Sequence, residues 1–259
     1  MSRFFGYRES TTWPSPQDTG AAPPNFDPTA EKIVDIAARA DNGPIEAVVF
    51  DWDGTLVDSK AILVESFQAT TEEVLGRTYP STHEETEMIV QLRGEDAFAL
   101  LAENDAELAE RLATAFHPHY VSRAERAQPF PGTLETLEKL RAAGLKLGVA
   151  TSKARIRLDL EAERTGIGPY LDEEISGDEV AAAKPDPESV VEVIRRLGTD
   201  PARTLFVGDG PNDILAGRGA GAVTVAVSFG FHPEEARAAG PDHVIEAMPA
   251  LLALAGVEP

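Results

Sequence analysis

Residues 47–59 read Ala47-Val48-Val49-Phe50-Asp51-Trp52-Asp53-Gly54-Thr55-Leu56-Val57-Asp58-Ser59, and the fold class follows from them. An apolar run that ends abruptly at acidic residues has the pattern of a buried parallel strand, covered on both faces. In open α/β sheets chemistry gathers just past the carboxyl ends of such strands, which puts Asp51 and Asp53 at the lip of a site. Gly54 and Thr55 turn the chain, so the two carboxylates are expected on a loop. At ~4 Å and an effective dielectric near 20, two carboxylates repel by roughly 4 kcal/mol. Something positive is expected between them.

Later segments supply it. Val207-Gly208-Asp209-Gly210-Pro211-Asn212-Asp213 follows the apolar Thr204-Leu205-Phe206 and places two more carboxylates at another strand end. An oxygen-rich site in a chain without cysteine suits a hard cation, and Mg²⁺ is the usual one where phosphate is also bound. Thr151-Ser152 ends the strand-like segment Leu145 to Ala150, and Lys184-Pro185-Asp186-Pro187 precedes a helical pattern. Hydroxyl, ammonium and metal together describe a cradle for a phosphoryl group.

These four segments, in this order and spacing, resemble the motif set of the haloacid dehalogenase-like hydrolases, in particular the phosphoglycolate phosphatase-like branch. The resemblance covers roughly residues 45–259, including the strand-like Val223–Val227 and the Phe229-Gly230 pair behind it. It implies an α/β fold, a Rossmann-like parallel sheet with helices on both faces, carrying an inserted all-helical cap domain.

The rest of the chain fits that organisation. From Phe130 onward, apolar runs at 147–150, 205–207 and 223–227 alternate with helical patterns such as Leu134, Leu137 and Leu140. Between Lys60 and Gln128 the pattern is helical throughout, with Phe67, Val74-Leu75, Ile89, Leu92 and Phe116 at helical intervals and no strand signal. The expected domains are an extension over 1–44, an α/β core over 45–59 and 128–259, and a helical cap over 60–127. Within the extension, Asp27 and Pro28 can start a short helix bearing Ile33, Ile36, Ala37 and Ala40. Its aromatics Phe4, Phe5, Tyr7, Trp13 and Phe26 leave three readings open: packing on the body of the same chain, an arm for docking a partner or for self-association, or a disordered tail.

The resemblance implies a chemistry for each residue. Asp51 is the nucleophile toward phosphorus, forming an aspartyl phosphate, and Asp53 is the acid and base that serves the leaving oxygen and then water. The implied metal ligands are Asp51, the Asp53 carbonyl and Asp209, with Asp213 nearby. Lys184 offsets charge on the nucleophile and phosphoryl, while Thr151, Thr55 and the backbone around Trp52, Gly54 and Ser152 hold the phosphoryl oxygens. Lys153 reads as a solvated surface charge. His117-Pro118-His119, without nearby carboxylate support, reads as a helix kink or surface pair, and His83, His232 and His243 receive no role. Arg93-Gly94, at a break between cap helices, is the candidate for binding a substrate carboxylate; an exposed charge near a helix end is the competing reading.

Composition narrows the partners. A formal net charge of −21 over 259 residues disfavours nucleic acid and anionic membranes, both polyanionic. The abundance of alanine and arginine and the acidity fit either a coding bias with a solubilising surface or adaptation to high salt. No stretch approaches a membrane span, and the chain reads as cytoplasmic. The expected activity is Mg²⁺-dependent hydrolysis of a small phosphorylated metabolite resembling phosphoglycolate. Sugar phosphatase, inorganic pyrophosphatase and a non-catalytic binding protein on the same body stay open. A phosphonatase-like reaction would need a cap lysine, and none lies between Lys60 and Lys139. A mutase-like enzyme would be expected to carry Glu-Asp where this chain has Gly208-Asp209.

Overall fold

The computed structural model describes residues 43–258; the helix expected after Asp27 and the aromatics between Phe4 and Phe26 lie outside them. In chain order the strands are β1 (Ala47–Phe50), β2 (Val57–Asp58), β3 (Gln128–Pro129), β4 (Lys146–Ala150), β5 (Glu173–Ile175), β6 (Thr204–Gly208), β7 (Val223–Val227) and β8 (His243–Ile245). Six of them form one sheet in the order β5-β4-β1-β6-β7-β8, every neighbouring pair parallel. Val48 stands opposite Leu147 on one side and Leu205 on the other.

The period-two geometry of β1 explains why it is apolar throughout. Val48 and Phe50 enter the core on one face, with Leu137, Leu140 and Leu158; Ala47 and Val49 enter the other, with Val190, Val193 and Ile194. The helices behind these faces are α5 (Thr133–Ala142), α6 (Arg155–Thr165), α7 (Glu188–Leu197) and α8 (Pro211–Gly219), followed by the short α9 (Pro233–Ala238) and α10 (Leu251–Leu254). The edge strands β5 and β8 were not foreseen. Each has three residues, and Glu173, Glu174 and His243 give no apolar run to detect, as is common where a sheet edge must resist further pairing.

Between β2 and β3 the chain forms four helices, α1 (Lys60–Leu75), α2 (His83–Val90), α3 (Gly94–Leu101) and α4 (Ala106–Val121). β2 and β3 pair antiparallel, Val57 opposite Pro129, so the chain enters and leaves this helical insert side by side. Local chemistry marks the helix ends. The Thr82 side chain accepts from Glu85 N while Glu85 reaches back to the Thr82 amide, Asp105 accepts from Leu108 N, and α1 stops at left-handed Gly76 with φ 66°. Phe116 packs at 4.6 Å from Phe67 and 5.4 Å from Phe98, centroid to centroid, which gives the insert its own apolar centre. α4 continues through Pro118 to Val121, and His119 Nε2 lies 2.7 Å from Glu73 Oε2. The surface pair is thus observed with a carboxylate partner, contributed by α1, that sequence proximity did not reveal. No helix among the described residues is long and apolar enough to cross a membrane.

Candidate active site

Asp51, Thr151 and Asp209 each stand immediately after a strand, following β1, β4 and β6, which are neighbours in the sheet. The fold therefore brings three distant segments to one edge. Lys184, ahead of α7, crosses between them: its Nζ lies 2.6 Å from Asp51 Oδ1, 2.6 Å from Asp213 Oδ1 and 3.1 Å from the Ala150 carbonyl. The first turn of α8 presents Asp213, whose Oδ2 accepts from Asp209 N at 3.2 Å and Gly210 N at 3.0 Å. Asp209 Oδ2 in turn accepts from Phe231 N at 2.6 Å. A Cβ at position 208 would overlap Asp213 Cβ, so a glutamate before Asp209 does not fit this packing.

Carboxylate oxygens of Asp51, Asp209 and Asp213 lie within 4.8 Å of one another, all three side chains buried. Burial pushes Asp51 up to about 7 against the pull of Lys184, with Asp213 and Asp53 adding to the rise. Burial, then Asp213 and Asp51, holds Asp209 well above the usual carboxylate range. Burial also opposes the charge on Lys184, but Asp213 and Asp51 outweigh it and hold the ammonium above its ordinary range. With all three carboxyls ionised, one ammonium leaves two negative charges, so an oxygen-seeking divalent cation, which favours that ionised state, fits the donor set in both charge and chemistry.

Asp53 is held by a second cluster. Its Oδ1 accepts from Ser59 Oγ and lies 3.0 Å from Lys153 Nζ, which also lies 3.0 Å from Glu161 Oε2. Glu161 further accepts from Trp52 Nε1 at 2.6 Å and from the Tyr120 hydroxyl. Burial works against the Lys153 charge, yet Asp53, Glu161 and Tyr120 hold its pKa above the ordinary lysine range. The expectation of a solvated Lys153 is corrected: its side chain is 1 % exposed. Sequence reasoning missed this cluster although one signal was present. Glu161 shares the buried face of α6 with Leu158, Ala162 and Thr165, and a charge at such a position requires a partner.

Asp51, Asp53, Thr151, Ser152, Lys184, Asp209 and Asp213 line one cleft, of about 810 Å³ including its open mouth. The helical insert supplies an apolar wall through Phe67, Ile89 and Phe116. Trp52, Gly54 and Thr55 do not line it. The Trp52 ring is turned to Glu161, Thr55 is fully buried, and the Gly54 amide donates to the Val57 carbonyl at 2.9 Å. Gly54 N–H as a phosphoryl donor is therefore corrected: the turn itself consumes it. Arg93 reaches the α/β body but stands outside this cleft. Its Nη1 donates to the Gly177 and Val180 carbonyls at 3.4 Å each, and Nε and Nη2 face Asp96. His232, given no role from sequence, is buried on the cleft wall with Nδ1 2.9 Å from Glu87 Oε2.

Comparison with known proteins agrees with this architecture. Residues 48–227 match the family model for haloacid dehalogenase-like hydrolases. Pyrophosphatase PpaX from Bacillus velezensis is 30% identical over 216 residues, covering 83% of this chain and 98% of the relative. Phosphoglycolate phosphatase from Agrobacterium fabrum is 36% identical over 214 residues, covering 78% of this chain and 89% of the relative. The fold is shared with CbbY from Rhodobacter sphaeroides, solved in complex with phosphate: the TM-score is 0.72 at 24% identity, over 80% of this chain and 96% of that one. Similarity along most of the chain, together with carboxylates gathered at the ends of β1 and β6, establishes that the chain belongs to the haloacid dehalogenase-like hydrolase family.

Proposed function

We propose that the chain is a Mg²⁺-dependent phosphatase of small phosphorylated metabolites, working through an aspartyl phosphate. The observation that carries this reading is the placement of Asp51, its Oδ1 2.6 Å from Lys184 Nζ, in a cleft that also holds Asp53 and the Asp209–Asp213 pair. An Asp51 carboxylate oxygen attacks phosphorus, the bond to the leaving oxygen breaks, and that oxygen takes a proton from Asp53. Water then attacks the acyl phosphate, giving up its proton to Asp53 and releasing phosphate with Asp51 restored. Lys153, fixed by Glu161, sets the position of Asp53 through its 3.0 Å contact. Lys184 bridges Asp51 and Asp213, relieving their mutual repulsion, and offsets charge on the transferring group, with the Thr151 hydroxyl and Ser152 beside it on the cleft wall. Asp51, the Asp53 carbonyl and Asp209, with Asp213 close by, are the groups that would hold Mg²⁺. Bound there, Mg²⁺ supplies electrostatic stabilisation to the phosphoryl oxygens. The helical insert serves as a cap whose apolar wall limits water at the reacting phosphorus.

The relatives' names cover phosphoglycolate and pyrophosphate, two small substrates that carry an anionic group besides the phosphoryl that is transferred. A non-catalytic binding role is disfavoured because Asp51, Asp53, Thr151, Lys184 and Asp209 all face one cleft. The test is phosphate release from p-nitrophenyl phosphate and 2-phosphoglycolate with Mg²⁺, in the unsubstituted protein and in Asp51→Asn. The amide is nearly isosteric and a poor nucleophile, so turnover and acid-stable labelling of the protein should both vanish. A folded Asp51→Asn protein that keeps more than about one per cent of kcat, a loss of under ~3 kcal/mol, would overturn the nucleophile assignment.

A further inference from the structure

Among the described residues three lysine or arginine side chains line the cleft, and two are fully engaged: Lys184 with Asp51 and Asp213, Lys153 with Asp53 and Glu161. The third is Arg157, on the first turn of α6. Its guanidinium forms no hydrogen bond or ion pair with any described residue. Its Cζ lies 5.3 Å from the Phe116 ring centroid and 5.8 Å from that of Tyr120, both on α4 of the insert. Gly94 leaves the space beside it, since a Cβ there would come within 3.2 Å of Arg157 Nη2.

Aromatic rings satisfy the faces of a guanidinium, but its N–H donors lie in the plane and require acceptors there. Burial lowers the Arg157 pKa, while Tyr120, Asp53, Asp178 and Glu161 act in the opposite sense from longer range without bonding it. A partly buried cation with unused in-plane donors, opening on a phosphoryl site, is complementary to an anionic oxygen group held bidentately. Arg93, by contrast, has spent its donors on Asp96 and two backbone carbonyls.

We propose that Arg157 binds a second, non-reacting anionic group of the substrate, so that the cleft selects small phosphate esters or anhydrides bearing an additional oxyanion over simple monoesters. The proposal rests on the phosphatase reading for the place of the first phosphoryl group. The shared chemistry is an oxyanion with two acceptor oxygens, whether a carboxylate or a second phosphate.

Binding in the Asp51→Asn background tests it without relying on turnover. Calorimetry with Mg²⁺ would compare 2-phosphoglycolate and pyrophosphate, the carboxylate and phosphate arms, against methyl phosphate. At least one of the two should bind about tenfold or more tightly than methyl phosphate, the lower end of what a charge-assisted hydrogen bond supplies. Arg157→Gln should reduce that preference below about threefold, and Arg157→Lys, which keeps charge without the planar fork, should leave an intermediate value. Thermal unfolding checks each variant; if the Gln variant fails to fold, the Lys variant decides by the same comparison. No preference with Arg157 intact, or a preference untouched in a folded variant, would overturn the proposal. Separately, absence of turnover by the unsubstituted protein would defeat the phosphatase reading while this anion preference still stands or falls on binding alone.

Discussion

Lys153 and Glu161 form an ion pair sealed in the interior, 3.0 Å between Nζ and Oε2, with side chains 1% and 0% exposed. The pair ties the loop after β4 to the buried face of α6, and through Lys153 it reaches the Asp53 carboxylate in the cleft. Tyr120, on α4 of the insert, donates to the same Glu161, so the position of Asp53 depends on contacts from the insert as well as from the sheet.

Lys153→Met should destabilise the protein by about 3–5 kcal/mol, because it removes the only cation within ion-pair distance of Glu161 among the described residues and strands that buried charge. Adding Glu161→Gln should restore part of the loss, since an amide carries no charge to compensate. Urea denaturation of the two single variants and the double variant checks this. Simple additivity of the losses would show that the two side chains are not coupled.

Asp53→Asn should lower turnover of an alkyl phosphate more than turnover of p-nitrophenyl phosphate, whose leaving group needs little protonation. Steady-state kcat on the two substrates makes the comparison. Equal losses would count against Asp53 as the proton donor and in favour of a purely structural link to Lys153.

Stabilisation by Mg²⁺ should grow with pH. The Asp51 carboxyl is pushed up to about 7 in the fold, chiefly by burial, while an aspartate in the unfolded chain titrates near 3.9. Between those values the unfolded chain gives up its proton first, so the metal-free protein loses stability as pH rises through this window. A bound divalent cation favours the ionised carboxylate and offsets that loss. The rise in Tm caused by Mg²⁺ should thus be larger at pH 8 than at pH 5.5, with EDTA as the reference. A rise that is constant or shrinks with pH would place the cation away from Asp51.

Gly230→Ala should weaken Mg²⁺ binding before it affects the fold at large. A Cβ at that position would overlap Asp209 Cβ and approach the Gly54 carbonyl at 2.6 Å, both fixed parts of the site. Titrating activity against Mg²⁺ should show a higher requirement in the variant. An unchanged requirement would mean that the loop after β7 yields without displacing Asp209.

Much of the architecture was legible because it is written locally. An apolar run ending at a carboxylate or hydroxyl marks a buried parallel strand and its active end, so the strand-end places of Asp51, Thr151 and Asp209 are legible in the sequence. The helical insert was readable from periodicity in the same way, with Phe67 and Phe116 at its centre. Pairings across the fold carry no such local signature. Lys184 meets Asp51 across 133 positions, and Trp52 meets Glu161 across 109. The family resemblance anticipated the first; nothing anticipated the second.

Apolar patterning alone marks the four inner strands, the insert and the strand ends on which the carboxylates stand, since it follows from which faces must leave water; the edge strands β5 and β8 carry no such pattern. How each charge is used depends on the folded chain. Lys153 is buried because Asp53 and Glu161 meet it, the Gly54 amide is consumed by its own turn, and Arg93 spends its donors on carbonyls of the α/β body. Arg157 is left with open donors in the cleft because α4 offers it aromatic faces where a carboxylate would have neutralised it. A charged side chain has the same local pattern whether it ends in water, in an ion pair or facing a ligand; the difference is set by partners that only the folded chain brings within a few ångströms.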